Sequence, residues 1–377
     1  MGIDGLWKLL DSDICAEKRS LRTLAIAEGF EGPRPDRLYH ISVDVSIWMR
    51  QLQQVFIKGH AQAGENPELR TFFYRLAMLA ERPVHLVFVV DGPLRPPIKR
   101  KKHVKNIPHW LTEGMRQFAL AFGYSWLEAA GEAEAELAQM NKLGIIDAVL
   151  TEDSDALVFG AQVVIRNPSY KRTDSDVVTI YRAANLVKDT GISAGDLVLI
   201  ALLLGSDYDP VGLPRCGPGI ARGLIRYGLG RSLHAALLSH DDAELAAFLP
   251  QWRSNLCSRL RTDPSRFLGR QHAALAAAVP PKFPDVNIAR LLVSPSLLSP
   301  DRYANLDTPR AMDLARLGQL CELYFAWGSS VEILKTFRTA LWPGEIVRTL
   351  INEGLKEEGS TVQVRSSLLV LLWFAEY

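Results

Sequence analysis

The 377-residue chain has only four cysteines, Cys15, Cys216, Cys257 and Cys321, and they are widely scattered. None stands in a paired metal-binding spacing, which excludes a disulfide framework or thiolate zinc site as the organising principle and fits a reducing compartment. No apolar run reaches the roughly eighteen residues needed to cross a bilayer. The first ten residues also lack the basic start and long apolar core of a secretion signal, so no membrane partner is expected. Gly2 invites N-myristoylation, but Leu6 stands where that motif asks for Ser or Thr. His40, His85, His103 and His109 form no ligand spacing, and Gly-x-Ser-x-Gly, Walker and dinucleotide glycine motifs are missing. These absences remove NTPases, hydrolases with a serine or cysteine nucleophile, and most dehydrogenases. There is no internal repeat and no long low-complexity tract.

What is present is an alternation of buried strands and amphipathic helices. Residues 41–49 read as a strand delivering Asp44 near its end, and residues 84–92 as another delivering Asp91. Residues 68–81 between them carry apolar side chains at helical spacing. A helix over 110–122, a strand over 124–129, a helix over 131–143 and a strand over 147–153 follow, which predicts a mostly parallel sheet with helices on both faces. Past Asp174 the texture becomes helical, with helices expected over 193–205, 231–238, 243–260, 265–279 and 310–342. Residues 360–377 turn β-branched and aromatic, as in a strand of a small further module or of the main domain.

Parallel open sheets bind ligands outside the carboxyl ends of their strands. That edge collects Asp44, Asp91, the pair Asp153 and Asp155, and the pair Glu132 and Glu134 at the start of a helix; Asp207 follows a later helix. So many acids at one edge repel each other unless cations sit among them. Two magnesium or manganese ions about 4 Å apart clamp both oxygens of an in-line phosphoryl displacement, and hard oxygen ligands suit them. Singly, each acid is as readily a helix-start or turn-capping residue; the coincidence of the set is what favours metal.

The net charge is only +1, but its distribution is uneven: Arg95, Lys99, Arg100, Lys101, Lys102 and Lys105 follow directly on Asp91. Such a run grips phosphates beside the acidic site, or serves as a solvated loop or nuclear localisation signal. Residues 212–220 place Gly217 and Gly219 ahead of a helix, where backbone N–H groups bind anions, and Arg215, Arg222 and Arg226 tilt that site toward nucleic acid. Arg253, Arg259, Arg261, Arg266 and Arg270 extend that track or merely solvate helix faces.

In chain order, Met1-Gly-Ile-Asp-Gly-Leu-Trp, Val43-Asp-Val-Ser-Ile-Trp, Val90-Asp-Gly, Ala130-Gly-Glu-Ala-Glu-Ala-Glu, Thr151-Glu-Asp-Ser-Asp and Leu204-Gly-Ser-Asp-Tyr resemble the motifs of the flap endonuclease/XPG family of structure-specific 5′ nucleases. The likeness covers about residues 1–230 closely and the helices to about 342 more loosely. It implies an α/β fold with a PIN-like, mostly parallel sheet and two magnesium ions held by Asp44, Asp91, Glu132, Glu134, Asp153, Asp155 and Asp207. It also implies that 212–220 is the helix-two-turns-helix that holds duplex backbone, with potassium. Gly2, exposed once Met1 is removed, falls near the active site, and Lys99, Arg100 or Lys101 matches the catalytic cation that contacts the scissile phosphate.

Forty residues separate Asp91 from Glu132, short for an arch that threads a single-stranded flap, and no clamp-binding peptide stands near the C-terminus. These departures, with Trp7 and the 44–48 motif, look most like the Holliday-junction resolvases of the Gen/Yen type, in which a chromodomain follows the nuclease. The expected organisation is a nuclease core over 1–208, a helical DNA-binding region over 209–342 and a C-terminal module over 343–377 with a small β element. The expected activity is nuclear, magnesium-dependent cutting of branched DNA: four-way junctions by paired symmetric incisions, and 5′ flaps. The chain is expected to be a monomer that pairs on the junction. A 5′-flap endonuclease or 5′ exonuclease is the nearest alternative, and a non-catalytic DNA-binding scaffold the second.

Overall fold

The computed structural model describes residues 2–3, 5–10, 16–56, 65–99, 102–104, 109–166, 168, 176–304, 306 and 308–359, with backbone alone at 55–56, 102 and 356–359. Nine strands occur among them: β1 (Ala16–Ser20), β2 (Tyr39–Asp44), β3 (Val84–Val90), β4 (Ile98–Lys99), β5 (Lys102–His103), β6 (Ser125–Glu128), β7 (Ala148–Leu150), β8 (Val163–Arg166) and β9 (Val177–Arg182). Seven form one sheet in the order β1-β9-β8-β7-β2-β3-β6; β4 and β5 make a separate antiparallel pair. The five strands from β8 to β6 run parallel, and β9 and β1 add an antiparallel edge.

Side chains along β3 sort by the two-residue period of a strand. Val87 and Val89 join the core on one face of the sheet, and Leu86 and Phe88 join the core on the other. With both faces covered, the strand can be apolar throughout, as a buried parallel strand must be. On the second face the edges of Phe72 and Phe88 meet Trp48, at centroid distances of 5.9 and 5.6 Å. A buried aromatic of this kind is worth about 3–5 kcal/mol.

The expected strand over 41–49 ends early. It stops at Asp44, and Val45–Phe56 is a helix. The Asp44 carboxylate accepts the backbone N–H groups of Ser46 at 2.7 Å and Ile47 at 3.3 Å, so it caps the helix that β-branched Val45 and Ile47 disguise. Strands β1, β8 and β9 were not expected, and β9 belongs to the sheet although the sequence around it looks helical. Within 265–279 only Ala273–Ala277 is helical, and 310–342 divides into Leu314–Phe325, Ser330–Ala340 and the start of Trp342–Gly359. That last helix packs back on the helices beside the sheet: Arg348 donates to the Phe122 carbonyl at 2.6 Å, and Gly344 abuts Ala80. The described part of the 343–377 module is therefore helical, and the expected β element at 360–377 lies outside the described residues. Among the described residues no helix is long and apolar enough to cross a membrane.

Candidate metal centre and nucleic-acid interface

The carboxyl ends of β2, β3 and β7 lie side by side, and the chain leaves each through an acid. Asp44, Asp91, Glu134, Asp153 and Asp207 line one cavity of about 160 Å³, together with Ser46, Arg50 and Lys99. Glu134 comes to it from the first turn of the Ala133–Lys142 helix; Glu132, which caps that helix, and Asp155, at the start of Asp155–Val158, stand behind the lining, Glu132 paired with Lys99 and Asp155 bonded to Asp153. Asp91 is held by the Ala133 N–H at 3.0 Å, by Ser46 Oγ at 3.3 Å and by Arg95 at 2.9 Å. Asp153 accepts the Asp155 N–H at 3.0 Å, and Tyr208 donates its hydroxyl to Glu132.

Lys99 stands at the centre. Its Nζ lies 2.8 Å from Glu132, 3.0 Å from Asp207 and 3.6 Å from Glu134. Burial lowers its proton affinity, yet Glu134, Glu132 and Asp207 more than offset this and hold the ammonium charged. As the side chains stand, no three His, Cys, Asp or Glu groups among the described residues close on a common ion; the acids surround an ammonium instead. A lysine ammonium here stands in for a cation, and the donor set around it consists of hard carboxylate oxygens suited to magnesium. Glu134 Oε2 and Asp155 Oδ1 are buried without a hydrogen-bond partner, which is what a metal ligand looks like without its metal. The residues fit a divalent metal centre.

Electrostatics agree. Burial, then the charge of Asp91, pushes Asp44 up to about 7; burial, then Asp153 and Asp207, pushes Asp155 up to about 8. Burial also raises Glu134 well above the carboxylate range and lifts Asp153. Carboxyls raised in the folded state favour folding fully below their unfolded value near 4, and that stability is lost as pH climbs through 7 and 8. A divalent cation replaces the protons. The rise in melting temperature on adding MgCl2 is therefore expected to be small at pH 5 and to grow steadily to pH 8.5, with the growth blunted in Asp155→Asn. An equal rise at both ends of this range contradicts the assignment.

Of the expected phosphate-gripping residues, Lys99 reaches the acids and Arg95 is paired with Asp91. Lys102 lies on β5, while Arg100, Lys101 and Lys105 fall outside the described residues. Gly2 meets the Asp153 loop, so close that a Cβ on it would lie 2.2 Å from Asp153 Oδ1. Gly217 caps the Pro218–Ile225 helix, and a Cβ at Gly217 or Gly219 would meet nothing within 4 Å, so the backbone there is open to approach. Arg215, at φ 69°, Arg222 and Arg226 are exposed around that turn, with Arg226 over the Phe267 ring at 4.0 Å. Sequence reasoning missed Ser46, Arg50, Tyr208 and Ser154. The Asp-x-Ser turn at 44–46 was the one legible signal among them.

Residues 1–108 match the family model for the XPG N-terminal domain, and residues 123–207 that for the XPG I-region. Flap endonuclease GEN homolog 1 from Mus musculus is 30% identical over 260 residues, and its Homo sapiens counterpart 31% over 255. Each alignment takes in 62% of this chain and 26% of the relative, so the chain spans about a quarter of the length of these curated relatives. The Holliday junction-resolving enzyme GEN1 in complex with product DNA and Mg2+ ion matches at a TM-score of 0.76 and 30% identity, over 93% of this chain and 80% of that one. The eukaryotic junction-resolving enzyme GEN-1 binding with potassium matches at 0.77 and 30%, over 97% and 83%. The catalytic core of Rad2 shares the fold at a TM-score of 0.60 with 21% identity.

Proposed function

The chain belongs to the flap endonuclease/XPG family, and from that premise we propose that it is a magnesium-dependent, structure-specific DNA endonuclease that resolves four-way junctions by paired symmetric incisions. The observation that carries this reading is the set of buried acids around Lys99, with an oxygen of Glu134 and one of Asp155 that accept no hydrogen bond. Asp44, Asp91, Glu132, Glu134, Asp153, Asp155 and Asp207 would hold two magnesium ions, with manganese able to take their place. When bound, the ions supply Lewis acidity at the phosphate and a nucleophilic water at neutral pH.

The rest falls to the chain itself. Lys99, released from its acids, turns its charge on the scissile phosphate, and Arg95 adds a second cation beside Asp91. The open backbone at Gly217 and Gly219, with Arg215, Arg222 and Arg226, grips the duplex away from the cut, and a potassium ion at this turn is part of the same reading. Cutting leaves a 5′-phosphate and a 3′-hydroxyl. One acidic site makes one incision, so two monomers pair on a junction. The basic stretch after Asp91 suits both phosphate and a nuclear location.

A 5′-flap endonuclease is the second reading, favoured by the name of the curated relatives. Single-turnover cutting of a labelled mobile four-way junction, beside a 5′ flap and across a MgCl2 titration, tests both. The expected result is two symmetric nicks in the junction, dependent on magnesium and on protein concentration. Cutting confined to the flap supports the second reading, and no nicking at any magnesium concentration leaves only a DNA-binding scaffold.

A further inference from the structure

Glu136 is fully buried, yet it stands apart from the acids that face Lys99. A carboxylate so placed is costly unless donors meet both of its oxygens. Three donors do. The Ala130 N–H donates to Oε2 at 3.1 Å, the Leu298 N–H reaches the two oxygens at 3.2 and 3.3 Å, and the hydroxyl of buried Tyr303 donates to Oε1. Leu298 and Tyr303 belong to the segment 294–304, which follows the Val286–Val293 helix of the DNA-binding region. One side chain therefore joins the start of the Ala133–Lys142 helix to a stretch some 160 residues further along the chain.

What Glu136 holds is the turn that delivers the metal-site glutamates. Residues 130–133 carry Glu132, and Glu134 follows directly. On one side this turn is bonded to the chain leaving β3: the Gly92 N–H donates to the Gly131 carbonyl at 2.7 Å, the Leu94 N–H to the Ala130 carbonyl at 2.9 Å, and the Ala133 N–H to Asp91 at 3.0 Å. Glu136 and the 294–304 segment close the other side, so near that a Cβ on Gly131 would lie 3.1 Å from the Ser296 carbonyl oxygen. We propose that Glu136 is a positioning residue: with Leu298 and Tyr303 it fixes this turn from behind and so sets Glu132 and Glu134 in place for the metal ions. This rests on the nuclease reading and deepens it, adding a side chain that touches neither metal nor phosphate. Support of metal ligands from behind is worth about tenfold to a hundredfold in metal affinity. An amide cannot replace the carboxylate, because each oxygen already meets two donors and an NH2 group in either place sets donor against donor.

The test titrates the whole chain with Mn2+ in the absence of DNA, following free Mn2+ by electron paramagnetic resonance well below the melting temperature. Glu136→Gln is expected to raise the dissociation constant about tenfold or more. Tyr303→Phe removes one donor and leaves both N–H bonds, and is expected to raise it about threefold. In the double variant the amide nitrogen takes the place the hydroxyl faced while the amide oxygen keeps the Ala130 and Leu298 N–H groups, so affinity recovers to near that of Tyr303→Phe. In junction cutting, the Mg2+ needed for half-maximal rate rises in the same order, the rate at saturating Mg2+ stays near wild type, and junction affinity in Ca2+ does not change. A purely structural role would lower the melting temperature and leave the Mn2+ affinity of the folded protein as it was. Wild-type Mn2+ affinity in folded Glu136→Gln, or in Tyr303→Phe should Glu136→Gln not fold, overturns the proposal, as does a loss in Glu136→Gln that Tyr303→Phe fails to relieve. Absence of Mn2+ binding to wild type overturns the nuclease reading itself, and this inference with it.

Discussion

Replacing Glu134 with alanine is expected to lower the single-turnover rate of the proposed junction cutting by about a thousandfold or more, while junction affinity is expected to stay within about threefold of wild type. The rate falls because Glu134 is buried, carries an oxygen with no hydrogen-bond partner, and shares a cavity with Asp44, Asp91, Asp153 and Asp207. No neighbour can supply the missing oxygen. Affinity is expected to survive because the proposed duplex grip is the Gly217 turn with Arg215, Arg222 and Arg226, a different part of the chain from the cavity that Glu134 lines. Alanine also suits the first turn of the Ala133–Lys142 helix, and it removes a carboxyl whose charge is disfavoured on balance, by burial above all and by Asp153, Glu132 and Asp155, although Lys99 attracts it. Without magnesium the variant therefore melts no lower than wild type. Cutting within tenfold of wild type in MgCl2, measured beside junction binding on the same preparation, sinks the metal-ligand role.

Asp44, Asp91 and Asp153 were legible because each sits at or just past the end of a strand, and strand ends are marked by buried apolar runs such as Val84–Val90. The Glu-Ala-Glu-Ala-Glu run shows the limit of that signal. Three glutamates alternate at 132, 134 and 136, yet Glu136 has no contact with Lys99: its carboxylate accepts the Ala130 and Leu298 N–H groups and the Tyr303 hydroxyl, tying the 298–303 segment to the core. Spacing cannot tell Glu136 from the two glutamates that face Lys99, because two of its partners lie 162 and 167 positions away. Lys99 was legible only as one of three candidates with Arg100 and Lys101, since the run of cations from 95 to 105 gives no sign of which one turns back to Glu132, Glu134 and Asp207. Strand β9 was missed because Val-Val-Thr-Ile-Tyr-Arg pairs with β8 and β1, and β1 comes from the far end of the chain.

Gly2→Ala is expected to slow cutting about a hundredfold, although it changes a residue with no chemistry of its own. The backbone at Gly2 has φ 81°, where an L side chain costs about 1–2 kcal/mol. The strain matters less than what the added methyl strikes: Asp153 Oδ1 at 2.2 Å, Ser154 Oγ at 2.4 Å and the Ser154 nitrogen at 2.8 Å. Neither side can retreat easily. The N-terminal segment is pinned to this loop by Ile3 N–H donating to Ser154 Oγ at 2.9 Å and by Trp7 Nε1 donating to the Glu152 carbonyl at 3.0 Å, with Arg166 over the Trp7 ring at 3.8 Å. The loop is pinned in turn by Asp153 and Asp155, whose own hydrogen bond fixes the turn. The displacement therefore passes into Asp153 and Asp155, the proposed metal ligands, where an ångström costs about a hundredfold in rate. If this is the cause, the variant needs more magnesium for half-maximal rate and keeps its junction affinity, whereas simple destabilisation would be cured by assaying in the cold. A variant that cuts at the wild-type rate at every magnesium concentration shows that the approach of Gly2 to Asp153 plays no part in holding the site.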